Sequence, residues 1–212
     1  MRQLVIEYVL EGHQRGYSFT ASTEGYTDEE LKLIWRSAMP RGHGWAQYVG
    51  ARSLKCFPLG VQRRVVVCET TVTDMRDESD RGGIRRVVIE VMSRADYFAY
   101  LDQRLLNLPE SARVQAERLP TFRQRLAISN SLMRHKKEQL VLLHPYHRPD
   151  DWRLIEGVVI KLALNPPGAM RRWGDVIPFT TLALNPQDEL PLVALPASRK
   201  QAIDHKTPQL TV

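Results

Sequence analysis

The densest group of side chains able to do chemistry is DMRDESDRGG, residues 74–83, where Asp74, Asp77, Glu78 and Asp80 crowd into one short stretch. Carboxylates this close hold calcium or magnesium when they alternate around a central glycine and converge on one point. Here the spacing differs, and Arg76 and Arg81 stand among the acids as competing counter-charges. The stretch therefore reads as a charged hairpin loop, because Asp and Gly supply the conformations such loops need. A second group, HPYH at 144–147 with His135 upstream, offers imidazoles without the four ligands of a structural zinc, and Cys56 and Cys68 are too far apart to act as a close thiolate pair. No GxSxG nucleophile turn and no glycine-rich phosphate loop with its lysine occurs. The expectation is a non-enzymatic chain with no catalytic centre, metal or cofactor.

What remains is charge. From Arg104 to Lys137 there are eight bases against two acids, a surplus equal to the +6 of the whole chain. Arg118, Arg123, Arg125, Arg134, Lys136 and Lys137 are the candidates for contact with an acidic protein or a nucleic acid. Arg171, Arg172 and Trp173 in MRRWGD, and the HPYHRPDDWRL stretch with Tyr146 and Trp152, place aromatics beside guanidinium groups. That pairing suits phosphates and bases, and it equally suits protein contacts. A solvated helix face explains the stripe as well, so the alternatives stand together here.

The elements that must position these residues follow from periodicity. VQRRVVVCETTVT (61–73) and IRRVVIEVM (84–92) are consecutive apolar runs, the pattern of strands covered on both faces, and they flank the acidic stretch as a central hairpin. QLVIEYVL (3–10) and GYSFTAS (16–22) read as a second hairpin, and KCFPL (55–59) as a short strand made edge-like by Pro58. Thr27, three residues before Glu30, predicts a capped helix in which Leu31, Ile34, Trp35 and Ala38 share a face and which ends at Pro40. Residues 41–53 read as an irregular connection tethered by Trp45 and Tyr48. Residues 93–143 read as a helical module: Ser93 caps a stretch with Tyr97, Tyr100, Leu101 and Leu105 on one side, and after Pro109 and Pro120 the residues Phe122, Leu126, Met133 and Leu140 are expected to face inward. WRLIEGVVIKLALNP (152–166) has strand-like composition, and LALNP recurs at 182–186, each copy read as a strand end entering a turn.

At 212 residues and 43% hydrophobic the chain is long enough to bury a core. The expected architecture is α+β: a mostly antiparallel sheet with the central hairpin (61–92), the helical module (93–143) and further C-terminal strands. Residues 1–143 form one region, 144–196 a strand-rich extension packed on it, and 197–212 a mobile tail. Two buried-type cysteines suit a reducing cytoplasm, and no apolar run approaches the ~18 residues that span a bilayer, so no membrane partner is expected.

HQRGYSFTAST (13–23), DEELKLI (28–34), DMRDESDRGG with its following apolar strand, and SRADY (93–97) occur in an order that resembles the N-terminal domains of bacterial GTPase-associated proteins. The resemblance covers about residues 3–100, and Val88 stands where many relatives carry a histidine. In similar domains an Asp precedes an Arg-x-Gly turn, so Asp74, Arg81 and Gly83 become the structurally demanding members of the corner. The resemblance implies an adaptor or assembly subunit of a bacterial conflict or signalling complex, with a component of a GTPase system as protein partner. The alternative is a nucleic-acid-binding subunit using the basic 104–137 segment.

Overall fold

Val65, Val66, Val67 and Cys68 are all buried, and because neighbouring residues of a strand point to opposite faces, the sheet that holds them is covered on both sides. The computed structural model describes residues 3–9, 16–39, 45–60, 64–135, 139–144, 152–184, 190–203, 207 and 209–211. In chain order its main elements are strands β1 (Gln3–Val9) and β2 (Gly16–Phe19), helix α1 (Asp28–Ala38), strands β3 (Arg52–Leu59), β4 (Arg64–Val72) and β5 (Arg85–Ser93), and helices α2 (Arg94–Leu106), α3 (Glu110–Arg118) and α4 (Phe122–His135). Then follow β6 (Leu140–His144), α5 (Trp152–Leu164), β7 (Phe179–Thr180), β8 (Leu192–Pro196) and β9 (Gln209–Thr211), with single 3-10 turns at Trp45–Tyr48, Gly168–Trp173 and Ala197–Ala202.

One nine-stranded sheet runs through all of them in the order β2-β1-β5-β4-β3-β7-β8-β6-β9. The strands from β2 to β7 pair antiparallel, and those from β7 to β9 pair parallel. The fold is α+β, with the hairpin of β4 and β5 central, as the valine runs predict. Cys68 lies opposite Ile89 and Val66 opposite Val91, so the two runs cover each other residue by residue.

α1 packs on one face, where Ile34 and Ala38 meet Leu4, Ile6, Val66, Cys68, Val87 and Ile89. Its first turn closes as a capping box: Glu30 N donates to Thr27 Oγ1 at 3.2 Å and Thr27 N donates to Glu30 Oε2 at 3.1 Å. Such a cap is worth about 1 kcal/mol. The other face carries α2 and α5, whose Tyr97, Leu101, Ile155 and Val159 bury Leu54, Cys56, Val65 and Val67.

Several expectations are corrected. The strand-like 152–166 is mostly α5, a helix apolar on nearly every side and buried for that reason. β-branched composition mimics a strand, but 13 residues is helix length. The region 144–196 is thus built around a helix, and the first LALNP closes that helix while Leu182–Leu184 of the second follow β7. The helical module stops at His135, and Leu140 is buried on β6 instead. The 197–212 segment is not a free tail, since β9 pairs with β6 and buries Leu210. A strand of three residues is too short to show alternation. Finally β3 is an interior strand, because β7 pairs with Lys55 and Cys56, while Pro58 lies beyond that pairing.

Candidate functional site

In the turn between β4 and β5 the carboxylates are engaged by the turn itself. Asp77 Oδ1 accepts from the backbone N–H groups of Ser79 and Arg81, both at 2.9 Å, and its Oδ2 meets Arg81 Nε at 2.8 Å. These bonds, the backbone one from Arg81 foremost, hold the Asp77 carboxyl below its ordinary pKa. Arg76 pairs with Asp80 at 3.0 Å, and Asp80 itself takes a positive φ of 58°. Gly83 has φ +83°, and a Cβ there would stand 2.6 Å from Ala46 N. Asp74 is exposed and takes no part in these bonds. Among the described residues no three His, Cys, Asp or Glu side chains gather as a metal would need. His147 lies outside the described residues, and His144 is buried at the end of β6.

The basic stripe divides into parts with different fates. Arg104 points inward from α2: its Nε meets Glu156 Oε1 at 2.5 Å and its Nη1 meets Glu69 Oε1 at 2.6 Å, while Tyr100 donates its hydroxyl to the same Glu69 oxygen at 2.9 Å. Glu156 is fully buried, and burial raises its pKa against the pull of Arg104. For Arg104 the balance is opposite: burial alone would lower its pKa, but Glu156, and after it Glu69, outweigh burial and raise the pKa, favouring the charged guanidinium. Arg125 donates to the Asn165 carbonyl at 2.6 Å and so ties α4 to the end of α5. Arg118 and Arg123 are exposed. Lys136 and Lys137 lie outside the described residues, as does the Arg134 side chain. The Gly168–Trp173 turn packs against α4, bringing exposed Arg171 and Arg172 near that helix, while Trp173 leans on the core. Trp152 lies under the Arg153 guanidinium at 3.8 Å, and Tyr146 is outside the described residues.

α4 is oriented differently from the expectation. Ile128 and Leu132 are buried, whereas Phe122, Leu126 and Met133 are 81%, 53% and 59% exposed. Two apolar stripes compete on this helix, and the smaller one packs because Ile128 and Leu132 meet Met170 and Leu210 in the core. The exposed stripe recurs at helical spacing on a segment containing no acidic residue.

A second surface was not foreseen. Beyond α2 the sheet face lies open as a groove of about 280 Å³, floored by cross-strand rows. Arg52, Thr71 and Arg86 sit opposite one another on β3, β4 and β5, and Arg86 Nε meets Glu7 Oε1 of β1 at 2.5 Å. The next row is Leu54, Glu69 and Val88, and the one after it brings Val67 beside Glu90, which accepts from Gln3 at 3.4 Å. The sequence signal for this groove is the polar interruption of apolar strands at Glu69, Thr71, Arg86 and Glu90.

No protein-family model, curated protein or solved structure matches the chain.

Proposed function

We propose that the chain is a non-enzymatic adaptor or assembly subunit that docks a protein partner through the exposed face of α4. The observation that carries this reading is the stripe Phe122, Leu126 and Met133, open to solvent on a helix with Arg123 and Arg125 and no acid. Large apolar side chains grouped on a surface mark interaction sites, and basic neighbours select an acidic partner. The resemblance of the first hundred residues names a component of a GTPase system as the class of partner.

The test is capture from the native host with nuclease treatment, followed by purification of the captured protein and direct affinity measurement. Replacing Phe122, Leu126 and Met133 by Ser is expected to weaken binding at least ~30-fold, since apolar anchors at an interface centre are worth about 2 kcal/mol or more each. Unchanged affinity overturns the reading.

A second reading is favoured by the packing of the Gly168–Trp173 turn on α4, which brings the exposed Arg171 and Arg172 near the helix that carries exposed Arg123. A nucleic-acid subunit built this way would lose affinity steeply with salt, at a log-log slope of about 0.9 per phosphate contact on duplex DNA. No helix among the described residues is long and apolar enough to cross a membrane.

A further inference from the structure

We propose that the row Arg52, Thr71 and Arg86 is the anion seat of a small-molecule site on the open sheet face, for a ligand carrying a phosphate or carboxylate at one end and hydrogen-bond donors at the other. Neighbouring strands stand about 4.8 Å apart, so the two arginines rise on either side of Thr71 at roughly twice that distance. Side chains of directly opposed residues share a face, and Arg52, Thr71 and Arg86 all line the groove, with Arg86 turned toward Glu7 on its outer side, so a site over Thr71 lies between the two guanidinium arms. An anion placed there accepts from two cations and one hydroxyl.

The two arginines are differently prepared. Arg86 is oriented by Glu7 through Nε, and a guanidinium has further donors beyond that one. Arg52 is exposed at the start of β3 and has no ion-pair partner among the described residues. Like charges flanking one hydroxyl repel unless an anion joins them, and planar guanidinium groups match phosphate and carboxylate oxygens in pairs.

The rest of the groove sets the other end of the ligand. Glu69 and Val88 stand in the row next to the anion seat and Val67 and Glu90 in the row beyond it, so the rest of the groove sets two carboxylates beside a short apolar floor. Tyr100 and Arg104 engage one oxygen of Glu69, and Gln3 engages one of Glu90, so each acid keeps a second oxygen as an acceptor. Those acceptors call for ammonium, amine or amide donors. A volume of about 280 Å³ is at the small end of ordinary ligand clefts, which excludes a folded partner segment and fits a small bipolar molecule.

The experiment is a titration of the isotope-labelled full chain followed by amide NMR shifts, with phosphoethanolamine, β-alanine, inorganic phosphate and ethanolamine as probes. Saturable shifts at Arg52, Thr71 and Arg86 are expected with the three anionic probes, at a Kd of about 1 mM or below for the better bipolar one. The tighter of phosphoethanolamine and β-alanine names the head group. Ethanolamine, lacking the anion, leaves the row unmoved. Arg52→Gln and the nearly isosteric Thr71→Val, each checked for native circular dichroism, are expected to weaken binding about ten-fold. Absence of saturable shifts with every anionic probe, or affinity unchanged in both variants, overturns the proposal. None of these residues lies on α4, so the outcome is independent of the docking surface proposed there.

Discussion

Arg104 and Glu156 show how one side chain can look like part of a surface stripe and belong to the interior. Glu156 is fully buried on α5, and taking a carboxylate out of water costs several kcal/mol unless a partner offsets it. Replacing Arg104 by Met therefore leaves an uncompensated buried acid and is expected to destabilise the fold by about 3–5 kcal/mol at neutral pH. The sign with pH follows from the raised pKa of Glu156. Between its ordinary value of 4.5 and the higher folded value, the native state binds the proton more tightly than the unfolded chain. Stability linked to Glu156 is thus fully present below 4.5 and lost as pH rises through the folded value. Removing Arg104 pushes that value further up, so the variant's deficit should widen from acid toward neutral pH, as measured by denaturant midpoints across that range. A constant deficit would mean that Glu156 does not titrate in this way. Gly83 is a second residue with a sharp requirement, because both its φ of +83° and the approach of Ala46 N exclude a Cβ. Gly83→Ala is expected to cost more than about 1–2 kcal/mol in equilibrium unfolding. The need for glycine here was legible from turn chemistry, but the contact with Ala46 was not, since a tertiary neighbour 37 positions away leaves no local mark.

Among the elements, those with local signals were legible and those decided by packing were not. α1 and α2 carry their caps in the sequence, Thr27 with Glu30 and Ser93 with Asp96, and both helices begin there. The β4 and β5 runs announce a central hairpin by their valines, with β4 covered on both faces through residues 65–68 and β5 covered on the α1 face while Arg86, Val88 and Glu90 border the groove. By contrast α5 has the composition of a strand, and only its length and the close packing of Gly157 against Ala116 of α3 favour the helix. On α4 the more conspicuous apolar stripe is the one left outside, because Ile128 and Leu132 face the core formed with β9 and the Gly168–Trp173 turn. Measured stability should reflect this division. Leu132→Ala is expected to cost about 2–5 kcal/mol, whereas Phe122→Ser should stay within about 0.5 kcal/mol of wild type. The reverse order would mean that α4 packs through its other side. The groove was hidden because Arg52, Thr71 and Arg86 come from three strands and meet only through register.

At the scale of the whole molecule, antiparallel and parallel halves of the sheet share one buried cluster that joins β3 and β4 to α5, β6 and β8. Leu54 and Val67 bury against helix and strand residues more than 80 positions downstream, so the two halves should unfold together. Fluorescence of Trp35 and Trp45 in the first half and of Trp152 and Trp173 in the second should therefore report one denaturation midpoint, and two separated midpoints would contradict this coupling. On this common body the exposed side of α4 is the surface from which the adaptor role is inferred. The most direct measurement is hydrogen exchange and side-chain footprinting of the complex formed with the captured, nuclease-treated partner. The account predicts protection centred on Phe122, Leu126 and Met133. A complex that forms with those side chains as accessible as in the free chain would contradict it.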